Sequence, residues 1–421
     1  MSRNAKQTTL TGSSIEDWDF VTANTTELTH GIHSYPARMV PQIANRLIHT
    51  YSRRGETVFD PFCGSGTVLL EAYRLGRKSI GADINPLAIR ISKAKTSRLS
   101  DREIDRLNQK VLELSKSPEM DRKTGRNVPE VSNLEYWFQK QVIDDLARLK
   151  FSIDKIPMTD EYRNLFYVCL SSTIYDVANL DKRDNPYFLR TLKGDKLVRF
   201  RPEVFGTYWQ KLDDARSKVR DLNRSLRESD YALFPPEIHL CDSRELIQRI
   251  NPFRLLLTSP PYGEEKNTMS YMRFAKLACH WIDHTAKELK DLEKKSLGSE
   301  PKVAISWHAP SSELRKLLGM LEKNGELGRA AEVKGFFFDY YDLLSKANKK
   351  LLDKGHFIIV IGNRTAKGMP VRNDLVSQEF CESLGMRHVQ THYRNIPKKV
   401  LPRSDAKGTL INAESIVIMQ K

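Results

Sequence analysis

Short apolar runs alternate with amphipathic stretches in two separated parts of the chain. Thr57-Val58-Phe59 is β-favouring, Val68 to Leu75 has helical spacing and stops at Gly76, and Ser79-Ile80-Gly81-Ala82 is a second apolar strand candidate. Upstream, Pro41 to Tyr51 predicts an amphipathic helix leading into the first strand. Strand character returns at Glu237-Ile238-His239-Leu240 and at Arg254-Leu255-Leu256-Leu257. Further on, Phe338 to Leu352 predicts a helix, Gly355 its stop, and His356 to Val360 a buried strand. Between these parts the pattern changes to long charged helices, including Gln139 to Leu149, Glu161 to Asp176 and Tyr208 to Arg227. The expected fold class is α/β, a doubly wound and mostly parallel sheet carrying a mainly helical insertion. The corresponding division is 1–97, 98–235 and 236–421. Residues 1 to about 30 are polar and predict an arm or peripheral strand, and 285–335, dense in Lys and Glu, predict a mobile loop or a second partner-facing element.

Two segments carry chemistry. The first, Asp60-Pro61-Phe62-Cys63-Gly64-Ser65-Gly66-Thr67, lies between a strand and a helix. Its glycines let the backbone approach a ligand closely, and the helix start offers free amide donors. About twenty residues later comes Asp83, where a carboxylate typically meets a ribose diol. A plain β–α turn, with Asp83 capping the helix near Asn85-Pro86, is the competing reading. The loop has neither the Lys-Ser/Thr of a phosphate loop nor the third glycine of a dinucleotide fold. A cofactor without phosphates fits better, and S-adenosylmethionine is one. The second segment, Thr258-Ser259-Pro260-Pro261-Tyr262-Gly263, follows an apolar strand. The Ser259 hydroxyl and Pro260 carbonyl are acceptors for the two N–H bonds of a planar amine, and Tyr262 offers a flat face for stacking. An ordinary strand-ending turn would also use such prolines.

Together these stretches resemble the cofactor motif and the Ser/Asn/Asp-Pro-Pro-Tyr motif of DNA amino-methyltransferases. Further similarities are His33-Ser34-Tyr35-Pro36-Ala37-Arg38, Gly81 to Ala88, Ser270-Tyr271-Met272-Arg273 with Lys276, Leu277 and Trp281, Leu297-Gly298-Ser299, Gly362-Asn363, Arg394-Asn395-Ile396-Pro397 and Glu414 to Ile418. Departures are mild: Arg38-Met39 stands where Lys-Phe is usual, and Cys241 where Gly is commoner. The resemblance implies a class I methyltransferase sheet with S-adenosylmethionine as cofactor, held by Tyr35, Pro36, Asp60, Phe62, Gly64, Gly66, Thr67, Asp83, Ile84 and Asp242. It implies catalysis by Ser259, Pro260, Pro261 and Tyr262 on a flipped base. In that family serine as first clamp residue is usual for cytosine-N4 enzymes, and aspartate or asparagine for adenine-N6 enzymes. Cytosine-N4 methylation is therefore the favoured expectation. RNA guanine-amino methyltransferases share a similar clamp but usually carry an N-terminal RNA-binding module, and only about 55 residues precede the first strand here.

Bulk properties agree. A formal charge of +15 over 421 residues favours polyanionic partners, and double-stranded DNA is the expected one. Asp181 to Arg227 carries about two basic residues per acidic one, interspersed with Tyr187, Phe188, Phe200, Phe205, Tyr208 and Trp209. Lys211, Arg216 and Arg220 are its candidate DNA contacts, with 285–335 as a competing, second DNA-facing element. The bland reading is that the aromatics pack helices together and leave a solvated charged face. Five dispersed cysteines and a start without an apolar core predict a reducing cytoplasm. His30 and His33 are spaced like a metal pair but lack accompanying ligands, so no metal is expected. A cognate restriction endonuclease acting separately is a further partner compatible with the resemblance.

Overall fold

The computed structural model describes residues 17–36, 38–117, 127–131, 133–181, 191–263, 271–282, 284–299, 306–396 and 413–421. Ala37, Tyr187, Phe188, Ser270 and Pro397 lie outside the described residues, as do the first sixteen.

The strands are β1 (Thr57–Asp60), β2 (Lys78–Asp83), β3 (Glu237–Leu240), β4 (Phe253–Thr258), β5 (Leu351–Gly362), β6 (Arg364–Ala366), β7 (Met369–Val371), β8 (Arg387–Asn395) and β9 (Ala413–Gln420). Seven of them form one sheet in the order β3-β2-β1-β4-β5-β9-β8, while β6 and β7 pair separately. Neighbours from β3 to β5 are parallel, and β9 alone runs against both β5 and β8. Strand order reverses at the β1/β4 junction, which opens a crevice beyond the carboxyl ends of those two strands.

Fifteen helices surround the sheet among the described residues: α1 (Pro41–Tyr51), α2 (Thr67–Arg74), α3 (Pro86–Thr96), α4 (Asp101–Ser115), α5 (Leu134–Trp137), α6 (Lys140–Lys155), α7 (Asp160–Val177), α8 (Asp195–Arg199), α9 (Val204–Arg227), α10 (Ser243–Leu246), α11 (Tyr271–Trp281), α12 (Ala286–Glu293), α13 (Ser312–Lys323), α14 (Leu327–Lys350) and α15 (Asn373–Ser383). The period of two along each strand sorts residues to opposite faces. Phe59, Leu256, Phe357 and Ile359 pack with Leu317 of α13, Phe337 of α14 and Phe380 of α15. Their neighbours Val58, Leu255, Leu257, Ile358 and Val360 pack with Ile43 and Leu47 of α1 and Val68 of α2. Both faces are buried, so the central strands read as continuous apolar runs. Helices α4, α6, α7 and α9 share a third core, in which Leu107, Leu146, Phe166 and Tyr208 join Leu87 and Ile91 of α3.

Several sequence expectations change. The helix expected from Phe338 begins at Leu327, and the strand expected from His356 begins at Leu351 with Gly355 inside it. Gly355 is a close approach rather than a helix stop: a Cβ there would lie 2.8 Å from the Arg254 carbonyl on the neighbouring strand. The described parts of 285–335 hold α12, α13 and the first turns of α14 instead of a loop. Near the amino end, Leu28–Gly31 is a 3₁₀ helix, not a strand, and Trp18 is buried with its ring 4.6 Å from His392.

Candidate active site

The glycine loop leaves the carboxyl end of β1. Its turn is closed by Gly66 N–H donating to the Cys63 carbonyl at 2.7 Å and tied to β2 by Cys63 N–H donating to the Ala82 carbonyl at 3.0 Å. Gly66 has φ +77°, and a Cβ there would sit 2.2 Å from the Ser92 hydroxyl of α3. That glycine therefore serves helix packing, and it does not line the cleft. Gly64 differs. It has φ +47°, and the nearest side-chain atom to a Cβ would be Tyr35 Cε1 at 3.7 Å, so the missing methyl leaves room on the cleft side.

Asp83, at the end of β2, accepts from Gly64 N–H at 2.9 Å through Oδ2 and from Asn85 N–H at 2.8 Å through Oδ1. The helix cap is Asn85, whose side chain accepts from Leu87 N–H at 3.0 Å. Asp83 thus fixes the loop while lining the cleft. Asn85 also donates to the Tyr35 hydroxyl at 3.0 Å, which sets the tyrosine against the same opening.

Asp60 is the buried carboxylate of the site. It accepts from Thr258 Oγ1 at 2.7 Å and from Phe62 N–H at 3.1 Å. The Thr258 bond latches the end of β4 onto the end of β1, which brings the residue after Thr258, Ser259, to the cleft. Burial pushes the Asp60 carboxyl up to about 7, against the lowering by those two hydrogen bonds and with a further push from the Asp83 charge.

Of the expected cofactor residues, Tyr35, Pro36, Asp60, Phe62, Gly64, Thr67, Asp83, Ile84 and Asp242 line this one cleft. Ser259 and Pro261 line it as well, while Pro260 is buried behind and Tyr262 is half-buried beside it. Asp242 is held by Arg244, with Nε and Nη2 donating to its Oδ2 at 3.0 and 2.7 Å. Arg244 also pairs with Asp339 at 2.6 Å, and Asp339 accepts from Gly298 N–H at 2.8 Å. Lys295, Ser296 and Leu297, the wall thereby anchored, also line the cleft, with Phe336 and Arg38. Leu297 carried a sequence signal in the Leu-Gly-Ser similarity, whereas Phe336 carried none.

Three carboxylates and three aromatic side chains, without a phosphate-binding Lys-Ser/Thr pair in the loop, suit a cationic adenosine compound. S-adenosylmethionine has a ribose diol for Asp83, an adenine for the Asp242 end and positive charge for buried Asp60. The residues present fit it.

The candidate DNA-contact residues lie elsewhere, on α9. Lys211 pairs with Asp176 at 2.7 Å, and Arg216 is surrounded by Asp101, Asp105 and Asp213. Arg220 is exposed. Among the interleaved aromatics Tyr208 is fully buried and Trp209 is 40% exposed, so the stripe divides between packing and surface. His30 is buried with Nε2 2.7 Å from Glu71 Oε1, and burial takes its pKa down to about 4. It acts as a neutral structural donor to a carboxylate that also accepts from Asn45 at 2.7 Å.

A family model described as DNA methylase matches residues 3–94. The type II methyltransferase M.MvaI of Kocuria varians is 26% identical over 420 residues, covering 95% of this chain and 91% of that protein. The type II methyltransferase M.BsoBI of Geobacillus stearothermophilus is 21% identical over 417 residues, covering 88% and 81%. Among solved structures, the rRNA methyltransferase aviRa of Streptomyces viridochromogenes overlaps 97% of this chain and 94% of its own at 11% identity and a TM-score of 0.35, a likeness too remote to add to the sheet order. Similarity to two type II methyltransferases thus runs through the glycine loop, the helices between residues 98 and 235 and the Ser-Pro-Pro-Tyr segment alike. The DNA methylase model and the two type II methyltransferases together support a DNA amino-methyltransferase, which implies S-adenosylmethionine as methyl donor and DNA as the methyl acceptor.

Proposed function

We propose that this methyltransferase modifies the exocyclic N4 amine of cytosine within a specific sequence of double-stranded DNA. The observation that carries the reading is Ser259 at the cleft, joined to the cofactor side by the Thr258–Asp60 hydrogen bond. Serine in first place of the clamp is the variant associated with cytosine in the family.

Bound S-adenosylmethionine supplies an electrophilic methyl group on a sulfonium. Asp83, Asp242 and Asp60 hold and orient it from three strand ends. An exocyclic amine is a poor nucleophile because its lone pair is delocalised into the ring. The Ser259 hydroxyl and Pro260 carbonyl accept its two N–H bonds and favour a pyramidal nitrogen. Those bonds strengthen as positive charge develops on nitrogen, which is differential stabilisation of the transition state. Tyr262 stacks on the base, and the surplus proton leaves the methylated amine for solvent. A cytosine inside a duplex cannot reach this cleft, so the base is flipped out.

The test is incubation of unmethylated double-stranded DNA with the purified protein and S-adenosylmethionine, followed by digestion to nucleosides and mass spectrometry. N4-methylcytosine supports the reading. N6-methyladenine as the product would replace it, and would make serine here compatible with adenine.

A further inference from the structure

Tyr262 is fixed at both ends. Its backbone carbonyl accepts from Asn373 Nδ2 at 2.9 Å, and the same amide donates to the Gly362 carbonyl at 2.8 Å. Its hydroxyl donates to Glu414 Oε1 at 2.6 Å, a distance of 152 residues along the chain. The other Glu414 oxygen pairs with Arg394, which stands directly opposite it in the β8–β9 register. Arg394 is buried, and its Nε donates to the Trp18 carbonyl at 3.2 Å. The carboxylate is thus locked by sheet pairing before it receives the tyrosine hydroxyl. A bond from O–H to an ionised carboxylate is among the stronger protein hydrogen bonds. A tyrosine that only filled space at the end of β4 would need no such partner, and a mobile ring would lose torsional freedom on meeting a base.

We propose that Glu414 is a positioning residue for methyl transfer: with Arg394 behind it, it holds the Tyr262 ring in the orientation that receives the flipped base. The proposal rests on the reading of Tyr262 as the stacking residue. Glu414 itself acts only through the Tyr262 hydroxyl.

The decisive variant is Tyr262→Phe, which keeps the stacking face and leaves the Glu414–Arg394 pair intact. Single-turnover methylation at saturating DNA and S-adenosylmethionine is expected to slow about tenfold, with cofactor affinity by calorimetry unchanged, because a misplaced ring costs transition-state geometry and not cofactor contacts. Glu414→Ala is expected to slow it similarly, and the double variant to lose no more than either single one, since both remove one interaction. Glu414→Gln, which retains an acceptor, is expected to keep more of the rate than Glu414→Ala, and it decides the matter with Tyr262→Phe if the alanine variant does not fold. A Tyr262→Phe enzyme transferring at the wild-type rate, or losses that multiply in the double variant, would overturn the proposal. Failure of the underlying reading looks different: Tyr262→Ala would then also transfer at the wild-type rate.

Discussion

Asp60 should make S-adenosylmethionine binding pH-dependent below neutrality, where the cofactor's own α-amino group stays mostly protonated. Its carboxyl is raised to about 7, first by burial, with Asp83 adding repulsion and the Thr258 and Phe62 hydrogen bonds opposing. A cation in the cleft favours the ionised form. Between about pH 5.5 and 7.0 the ionised fraction rises from roughly 3% to about half, a gain of about fifteenfold, while an α-amino group stays mostly protonated. Affinity for S-adenosylmethionine, measured by calorimetry, should rise by up to that factor over the interval. S-adenosylhomocysteine, without the sulfonium charge, should show a shallower slope. Thr258→Val removes a bond that favours the carboxylate and should move the midpoint upward. Asp60→Asn should bind weakly with a flat profile. The sign for stability is opposite: a raised carboxyl stabilises the ligand-free fold fully below its unfolded pKa, and that contribution is lost as pH rises through about 7. Ligand-free wild type should therefore lose stability relative to Asp60→Asn across the interval in which its cofactor affinity grows. An Asp60→Asn protein with the wild-type pH slope would refute the reasoning.

Other consequences are equally open to measurement. Arg244→Ala removes the partner that holds Asp242 and releases Asp339, so cofactor affinity should fall about tenfold or more, while Arg244→Lys, without the fork, should recover only part of it. Gly66→Ala forces a left-handed residue to carry a Cβ 2.2 Å from Ser92 Oγ, and denaturant titration should register a loss of about 1–3 kcal/mol. His30 and His33 are buried with pKa values held down to about 4 and about 3, chiefly by burial, so their contribution to stability should be lost as pH falls from about 6.5 through about 4 for His30 and on to about 3 for His33, with His30→Gln flattening part of the curve. On α9, Arg220→Ala should reduce the salt dependence of DNA binding by about one counterion if that exposed side chain meets phosphate, whereas Arg216→Ala should act mainly on stability because its charge is engaged by three carboxylates. Equal salt slopes for Arg220→Ala and wild type would direct the search to 285–335.

The parts of the site legible in the sequence are those built by local geometry. A strand, a glycine turn and a helix follow one another within Thr57–Arg74, and the turn's backbone hydrogen bonds from Gly66 and Cys63 close within that segment or onto the next strand. Helix α1 begins at Pro41 and ends at Tyr51 as its pattern predicts, because proline is suited to the first turn and the apolar stripe decides the rest. The two glycines of the loop looked equivalent in the sequence and are not. Gly64 faces the cleft and Gly66 faces α3, a difference set by how α3 packs across the turn. The same holds for α9, where composition announced a basic face without indicating that Asp176 and Asp105 stand opposite its cations.

What the sequence withheld is the long-range half of the site. Ser259 reaches the cofactor cleft through Thr258 meeting Asp60, 198 residues away. The wall at 295–297 is placed through Arg244 and Asp339, and the Tyr262 ring through Glu414 on the last strand. Arg244 and Asp339 have no periodicity or spacing that marks them, since each is an ordinary charged residue within a helix. The site converges because the sheet order brings β4 beside both β1 and β5, and antiparallel β9 beside β5, so that the ends of β1, β4 and β5 and the start of β9 meet at the same edge. In the proposed mechanism the clamp motif specifies which groups touch the amine, and the strand order specifies what holds them still. A protein carrying Ser-Pro-Pro-Tyr on a different sheet order would have the acceptors without the carboxylate behind the tyrosine, and by this reasoning would bind its target base in a less defined orientation.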